Sequence, residues 1–135
     1  MSTNQLSERA RAFLAEPRFG VLATINADGS PQLTTMWYEL QGDEIMMNTL
    51  AGRLKDRNLR RNARVALCFE EGYQYVTVTG TVRLVEDQAT ARADIAHLAH
   101  RYHPAERAAQ MVESQFSRQE RVTLRMTIER VSEHW

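Results

Sequence analysis

Residues 44–69 read EIMMNTLAGRLKDRNLRRNARVALCF, a stretch that changes from apolar to basic and back to apolar. The apolar segments 44–49 and 64–69 each have the length and composition of a buried β-strand. Between them, residues 53–62 are polar apart from two leucines, which predicts a short helix with few apolar contacts. A helix inserted between two strands, with further strands on either side, predicts a mainly β domain with peripheral helices.

The segments before this stretch predict one helix and a pair of strands joined by a tight turn. Residues 6–16 place their apolar side chains on one face of a helix, and Pro17 ends it. Residues 19–26 are apolar and rich in strand formers, residues 27–31 (ADGSP) carry an Asp-Gly turn signal, and residues 32–40 predict the second strand.

The segments after it predict two more strands separated by two helices. Residues 73–85 alternate threonine with valine and predict a long strand, in which Gly80 marks a bulge or a close approach of backbones. Residues 87–99 predict a helix with its first aspartate as the N-cap, and residues 104–115 predict another. Residues 121–131 alternate apolar and polar side chains, which predicts a half-buried strand.

These elements predict a single domain, residues 1–135, with about six strands. Five follow one another through short connections, and the last returns after the two helices. That order suits a small antiparallel barrel.

Composition excludes several classes of partner. The 17 basic and 17 acidic residues balance, so the chain lacks the net positive charge that a nucleic-acid or membrane surface attracts. No apolar run approaches the roughly 20 residues that span a bilayer. The N-terminus lacks the apolar core of a signal peptide, and the single cysteine, Cys68, suits a reducing compartment. We therefore expect a cytoplasmic protein without nucleic-acid or membrane partners.

The strongest local signal for a ligand lies where the third strand meets the basic helix. Asn48 and Thr49 end the strand, Gly52 permits close approach of the backbone, and a helix N-terminus follows. Arg53 and Lys55, the only lysine, place positive charge at the end of the helix that the dipole already makes positive. A bound phosphate would explain cations at this position, although a solvated basic helix is an open alternative.

The strand 31–39 (PQLTTMWYE) could lie along a flat aromatic ligand, with threonine hydroxyls and backbone N–H groups binding its polar edge. The alternative is an ordinary strand with its methionine and tryptophan in the core. His97, His100 and His103 are spaced by three residues, which spreads the outer two by about 120° around a helix. We therefore predict no metal site, and we expect Cys68 to be an inert strand residue.

Four segments in order resemble the pyridoxamine 5′-phosphate oxidase-like split-barrel family. They are FGVLATINADGSPQL (19–33), MWYEL (36–40), MNTLAGRLKDRNLRRNARVAL (47–67) and VTGTVRLVED (78–87). The likeness is greatest to the branch of small reductases that use coenzyme F420, an 8-hydroxy-5-deazaflavin. The basic C-terminal signature of true pyridoxamine-phosphate oxidases is absent, since the chain ends VSEHW (131–135).

The resemblance implies a six-stranded antiparallel split β-barrel that forms a homodimer with two cofactor sites at its interface. It assigns the cofactor phosphate to Thr49, Arg53 and Lys55. It assigns the ring to the strand of Thr34, Thr35, Met36 and Trp37, with Asn48 close by. Tyr73 and Tyr75 of the partner subunit are expected to cover the ring.

The implied function is hydride transfer from F420 to a small, conjugated organic substrate, because the cofactor performs the redox chemistry and the protein binds and orients it. No side chain stands out as an obligatory proton donor. Alternatives are the same fold with FMN, a non-catalytic protein that holds flavin, haem or a phosphate metabolite, and a purely structural dimer.

Overall fold

A computed structural model describes residues 2–135. In chain order the elements are β1 (Ser2–Thr3), α1 (Glu8–Ala15), β2 (Gly20–Ile25), β3 (Pro31–Met36), β4 (Glu39–Gln41), β5 (Glu44–Leu50), α2 (Leu54–Arg61), β6 (Arg64–Glu71), β7 (Gln74–Val85), α3 (Gln88–Tyr102), α4 (Ala105–Ser114), a 3-10 helix (Phe116–Arg118) and β8 (Arg121–His134). None of the helices in this described part is both long and apolar enough to cross a bilayer.

The strands form one antiparallel sheet in the order β3-β2-β6-β7-β8-β5-β4, and the two-residue β1 pairs with β8. No strand pairing within residues 2–135 joins the two ends of this order, so the barrel is split rather than closed. The prediction of a mainly β, antiparallel split barrel with peripheral helices is confirmed. The expected count of six strands is wrong, since the described residues contain eight.

The extra strands have two physical causes. The predicted strand 32–40 breaks because side chains of α3 take the backbone groups of Tyr38: the amide donates to the Tyr102 hydroxyl oxygen at 3.1 Å, and the carbonyl accepts from Arg101 Nε at 2.9 Å. The chain therefore leaves one ladder at the end of β3 and enters another at β4. The second cause is β1, which is too short to produce a periodic signal.

The helices begin and end near the predicted positions. The Ser7 hydroxyl caps α1 by accepting from the Ala10 amide at 3.0 Å, and the Asp87 carboxylate caps α3 by accepting from the Thr90 amide at 3.0 Å. The larger apolar cluster fills the barrel, around fully buried residues such as Leu22, Leu67 and Leu124. A second cluster lies under α3 and α4 and contains Met46, Ile95, Leu98, Ala99, Ala108 and Phe116.

Gly80 is the point at which β7 and β8 come closest. The register shifts there, because Thr79 pairs with Arg130 while Gly80 pairs with Ile128, which leaves Glu129 as the extra residue of a bulge. A Cβ atom on Gly80 would lie 1.9 Å from the Thr127 carbonyl oxygen. The predicted close approach is therefore confirmed at Gly80, and the bulge lies opposite it on β8.

We expect Gly80→Ala to destabilise the protein by about 3 kcal/mol, since the methyl group would collide with a backbone oxygen that cannot rotate away. Chemical denaturation measures the free energy of unfolding. Thr79→Ala, an exposed neighbour on the same strand, is the control and should cost well under half of that. Equal losses in the two variants would contradict the close approach.

Candidate functional site

The turn between β5 and α2 leaves the start of the helix without a side-chain cap. Gly52 has φ +88°, and its amide donates to the Asp56 carboxylate at 2.8 Å. The N-cap residue is Arg53, whose side chain is a donor and makes no capping hydrogen bond. The first-turn N–H groups and the dipole thus favour an anion at this end, as the sequence predicts.

Three cations gather around this turn: Arg53 and Lys55 from α2, and Arg121 from the first residue of β8. Among residues 2–135, none of the three has a carboxylate oxygen within 4.0 Å. Burial lowers the pKa of the Lys55 ammonium, and the charges of Arg53 and Arg121 lower that pKa further. Burial also lowers the pKa of the Arg121 guanidinium to about 10, with Arg53 contributing, so Arg121 remains charged at neutral pH.

Two arginines on the same two elements, by contrast, do have acidic partners. Arg60, on α2, binds the Asp56 carboxylate at 3.0 Å. Arg125, on β8, binds the Glu44 carboxylate at 2.9 Å. The three cations at the turn thus lack the carboxylate partners that Arg60 and Arg125 have, and a positive potential concentrates there.

Arg121 is 7% exposed and is fixed by three contacts. Its Nε donates to Asn48 Oδ1 at 3.0 Å, and its terminal nitrogen donates to Gln119 Oε1 at 2.8 Å. Its guanidinium carbon lies 5.1 Å from the centre of the Phe116 ring. The side chain is thus held in place without being neutralised.

Asn48 is held in turn by a line of hydrogen bonds. Its Nδ2 donates to the Ala91 carbonyl oxygen at 2.9 Å and to Thr123 Oγ1 at 3.2 Å. The Thr123 hydroxyl donates to the Asp94 carboxylate at 2.7 Å. These partners fix the orientation of the amide, so that its oxygen faces Arg121.

A cavity of about 330 Å³ opens beside this cluster, between β3, α3 and the 3-10 helix. Its lining is largely apolar and aromatic and consists of Phe19, Thr35, Met36, Trp37, Asn48, Ile95, Leu98, Phe116 and Arg121. Trp37 stacks on Tyr102 at 5.3 Å between ring centres, and the Tyr102 hydroxyl donates to the Arg18 carbonyl oxygen at 2.6 Å. A rigid aromatic wall of this kind suits a flat ligand.

The structure brings most of the predicted site residues together. Four of them line the cavity: Thr35, Met36, Trp37 and Asn48. Arg53 and Lys55 lie at the start of α2, and Thr49 is buried on β5 directly before the turn. The side chain of Thr34 lies on the opposite face of β3 from that of Thr35, since it pairs with Leu22.

Tyr75 does not reach the cavity of its own chain. It is 38% exposed and stacks on His134 at 4.9 Å, at the far end of β8 from Arg121.

The histidines at positions 97 and 103 contact other side chains of the protein. His97 Nε2 lies 2.9 Å from a Glu39 carboxylate oxygen, and His103 lies edge-on to Trp37. No group of three metal-binding side chains occurs in the described part of the chain.

Arg121 is the main residue that sequence reasoning missed. It opens the last strand, where a single cation is ordinary, and it lies far along the chain from Lys55. Phe19 and Phe116, which also line the cavity, were likewise missed. The only available signal was that the strand 44–50 and the strand beginning at residue 121 could pair, which would bring Arg121 to the end of β5.

Comparison with known proteins gives consistent results. The family model described as pyridoxamine 5′-phosphate oxidase matches residues 6–135. The chain is similar to an F420 reductase (27% identity, 94% of this chain and 98% of the other, TM-score 0.76). It is also similar to a conserved hypothetical protein of Mycobacterium tuberculosis (31% identity, 96% and 84% coverage, TM-score 0.79). The Group A Streptococcus protein HupZ shares the fold at 12% identity (96% and 94% coverage, TM-score 0.68).

The titration of Lys55 tests the cation cluster directly, because the only lysine gives a single side-chain resonance in lysine-labelled protein. The ¹³Cε signal should titrate below the ordinary pKa of lysine. Arg121→Gln should raise this pKa part of the way back, since burial, the larger cause, remains. Inorganic phosphate should also raise it, because an anion stabilises the protonated form.

The matched control is Arg125→Gln, which removes a cation from the same strand but from a neutralised pair. That variant should leave the Lys55 pKa unchanged. An ordinary pKa that neither Arg121→Gln nor phosphate alters would contradict the cluster.

Proposed function

The chain belongs to the pyridoxamine 5′-phosphate oxidase family, and we propose that it is an oxidoreductase that binds the deazaflavin coenzyme F420 and reduces a small conjugated substrate. The observation that carries the proposal is the group of three cations without a carboxylate partner beside an aromatic cavity. A phosphate-bearing ring cofactor needs both of these surfaces, and here they meet at Arg121. The single cysteine suits the reducing environment of the cytoplasm, where we expect the protein to act.

The residues of the site fit such a cofactor. Arg53, Lys55 and the uncapped N–H groups of α2 are suited to its phosphate, since arginine binds phosphate oxygens in pairs and lysine acts as a mobile point charge. Met36 and Trp37 are suited to the face of the ring, and the Thr35 hydroxyl to its polar edge. Thr49 lies where the strand enters the phosphate site.

Residues 2–135 place no acid or base in the lining of the cavity. Of the lining residues only Arg121 is ionisable, and its pKa of about 10 keeps it protonated. The Tyr102 hydroxyl behind Trp37 donates to a backbone carbonyl, and burial raises its pKa. A bound deazaflavin or flavin supplies two-electron redox chemistry. The protein's part is to bind the phosphate, orient the ring and exclude water from its face.

A second copy of the chain would complete this site. The outer faces of β2, β3 and β6 form an apolar surface, here called the outer sheet face, made of Val21, Ala23, Ile25, Leu33, Ala66 and Cys68. Leu33 is 64% exposed. Thr35 shares this face, because it pairs with Val21, and it also lines the cavity.

We therefore place the homodimer interface on the outer sheet face, where a partner would cover the mouth of the cavity. Tyr75 lies on the same face of the sheet, since it pairs with Glu70 while Cys68 pairs with Thr77. This position supports the expectation that Tyr75 of the partner subunit contributes to the pocket.

FMN is the second candidate cofactor, because the phosphate site would serve either molecule. A non-catalytic binding protein is the second candidate function, since a cavity without an acid or base would also suit a protein that only holds its ligand. An assay for oxidation of reduced F420 by enones and quinones distinguishes an oxidoreductase from a non-catalytic binding protein. Tight binding with every substrate untouched would favour the binding protein.

Incubation with each cofactor followed by gel filtration tests the cofactor. We expect F420 to co-elute with the protein and FMN to be retained less well. Lys55→Ala should weaken binding of F420 by about 1.5–3 kcal/mol, the typical cost of losing a charge-assisted hydrogen bond. Fluorescence titration measures the dissociation constant.

The control is Arg57→Ala, which removes an exposed cation from the same helix. Arg57 does not line the cavity; it lines a different depression, together with Leu54 and Asn58. It should change the affinity by less than Lys55→Ala does. If Lys55→Ala binds F420 as tightly as the natural protein does, the assignment of the phosphate to Lys55 is wrong. Tighter binding of FMN than of F420 would make FMN the first candidate cofactor.

The oligomeric state tests the interface. Light scattering during gel filtration should give the mass of a dimer for the natural sequence and of a monomer for Leu33→Glu, because the substitution buries a charge in the apolar interface. The monomeric variant should also bind F420 more weakly. Ala109→Glu, an exposed position on α4, is the control and should remain a dimer. A natural sequence that is monomeric would contradict the interface.

A further inference from the structure

Arg121 differs from the other two cations because it is part of the cavity wall. Arg53 is exposed at the surface, and neither it nor Lys55 lines the cavity. Arg121 is 7% exposed and lies in the wall together with Trp37 and Phe116. It is the only charged side chain among the nine lining residues.

Several N–H groups of the Arg121 guanidinium are available to bind a ligand. Arginine carries five N–H groups, and the hydrogen bonds to Asn48 and Gln119 use one on each of two nitrogens. Within residues 2–135 the others have no hydrogen-bond partner in the structure, and no carboxylate lies within 4.0 Å. A buried charge in this condition is costly unless something else binds it.

The side chain is also fixed in position. Asn48 and Gln119 hold it at two points, and its guanidinium carbon lies 5.1 Å from the centre of the Phe116 ring. A fixed fork of donors against an apolar wall matches a carboxylate, an enolate or a phenolate on the edge of a flat molecule. A ligand without such an oxygen would leave the guanidinium buried and unpaired, and so it would be rejected.

We propose that Arg121 is a specificity-determining residue, which selects flat ligands that present an anionic oxygen at one edge. The proposal rests on the proposed function in one respect, that the cavity is the ligand pocket. The oxygen can belong to the substrate or to the ring of the cofactor. In both cases it is separate from the phosphate at the start of α2.

A pair of matched probes tests the proposal without any cofactor. 2-Naphthoate and 2-naphthamide have the same flat ring system and differ in the charge of one group. By isothermal titration calorimetry the natural protein should bind the carboxylate about 10- to 100-fold more tightly than the amide. Arg121→Gln should reduce this ratio to near one, whereas Arg125→Gln, the control on the same strand, should retain it.

Gln119→Glu provides a second variant that leaves Arg121 in place. It puts a carboxylate where the Gln119 oxygen now accepts from the guanidinium at 2.8 Å, so the charge is neutralised from outside the cavity. Binding of the carboxylate probe should fall by about tenfold or more, while binding of the amide probe should not change. This variant keeps the test decisive if Arg121→Gln does not fold.

A natural protein without preference for the carboxylate, or one that binds neither probe, would overturn the proposal. A preference that survives both Arg121→Gln and Gln119→Glu would do the same. Repeating the titration with F420- or FMN-loaded protein identifies the source of the oxygen. Retained carboxylate preference assigns it to the substrate, and competition assigns it to the cofactor.

The two proposals can fail separately. Loss of the probe preference would leave phosphate binding at Arg53 and Lys55 untouched. Failure of both cofactors to bind would leave the anion selectivity of Arg121 standing.

Discussion

The buried guanidinium of Arg121 is the electrostatic constraint on which the rest of the site depends. It is withdrawn from water at the junction of β5, β8 and α2, it lacks a carboxylate partner in the described residues, and it lies near Lys55 and Arg53. Removing a charge from water costs several kcal/mol, and like charges nearby add to that cost. Binding of an anion would recover part of this free energy. Affinity for an anion and stability of the folded chain are therefore linked in this protein.

The fold can maintain this arrangement because the groups around Arg121 lie on rigid elements. Asn48 and Thr123 are directly opposite each other on the paired strands β5 and β8, in the interior of the sheet. The Ala91 carbonyl and the Asp94 carboxylate bring α3 into the same network. In this network the Asp94 carboxylate is connected to Arg121 through Thr123 and Asn48 and does not contact the guanidinium. The guanidinium is oriented by this network, but its charge is left available to a ligand.

Local signals in the sequence predict most of the elements and the part of the candidate site at the start of α2. The Asp87 cap, the Gly80 bulge and the cations at the start of α2 depend on a few adjacent residues, and all three occur where the sequence indicates. The break between β3 and β4 depends on Tyr102 and Arg101, which reach Tyr38 from a helix far along the chain. Arg121 was missed for the same reason, because its importance comes from strand pairing and burial and not from its neighbours in sequence. The role proposed for Tyr75 depends on a second copy of the chain, whose position no single sequence specifies.

The equal numbers of acidic and basic residues have different consequences at two length scales. At long range the charges cancel, which argues against attraction to a polyanion such as nucleic acid. Charges are screened over about 8 Å at physiological ionic strength, so the potential inside a cavity depends mainly on the charged groups nearest to it. Here Arg121 is the only charged residue in the lining, and Arg53 and Lys55 lie near it, while Asp56 and Glu44 are bound by Arg60 and Arg125. A chain without net charge can therefore contain a cavity that favours small anions, because none of the acidic side chains in the described residues lines that cavity.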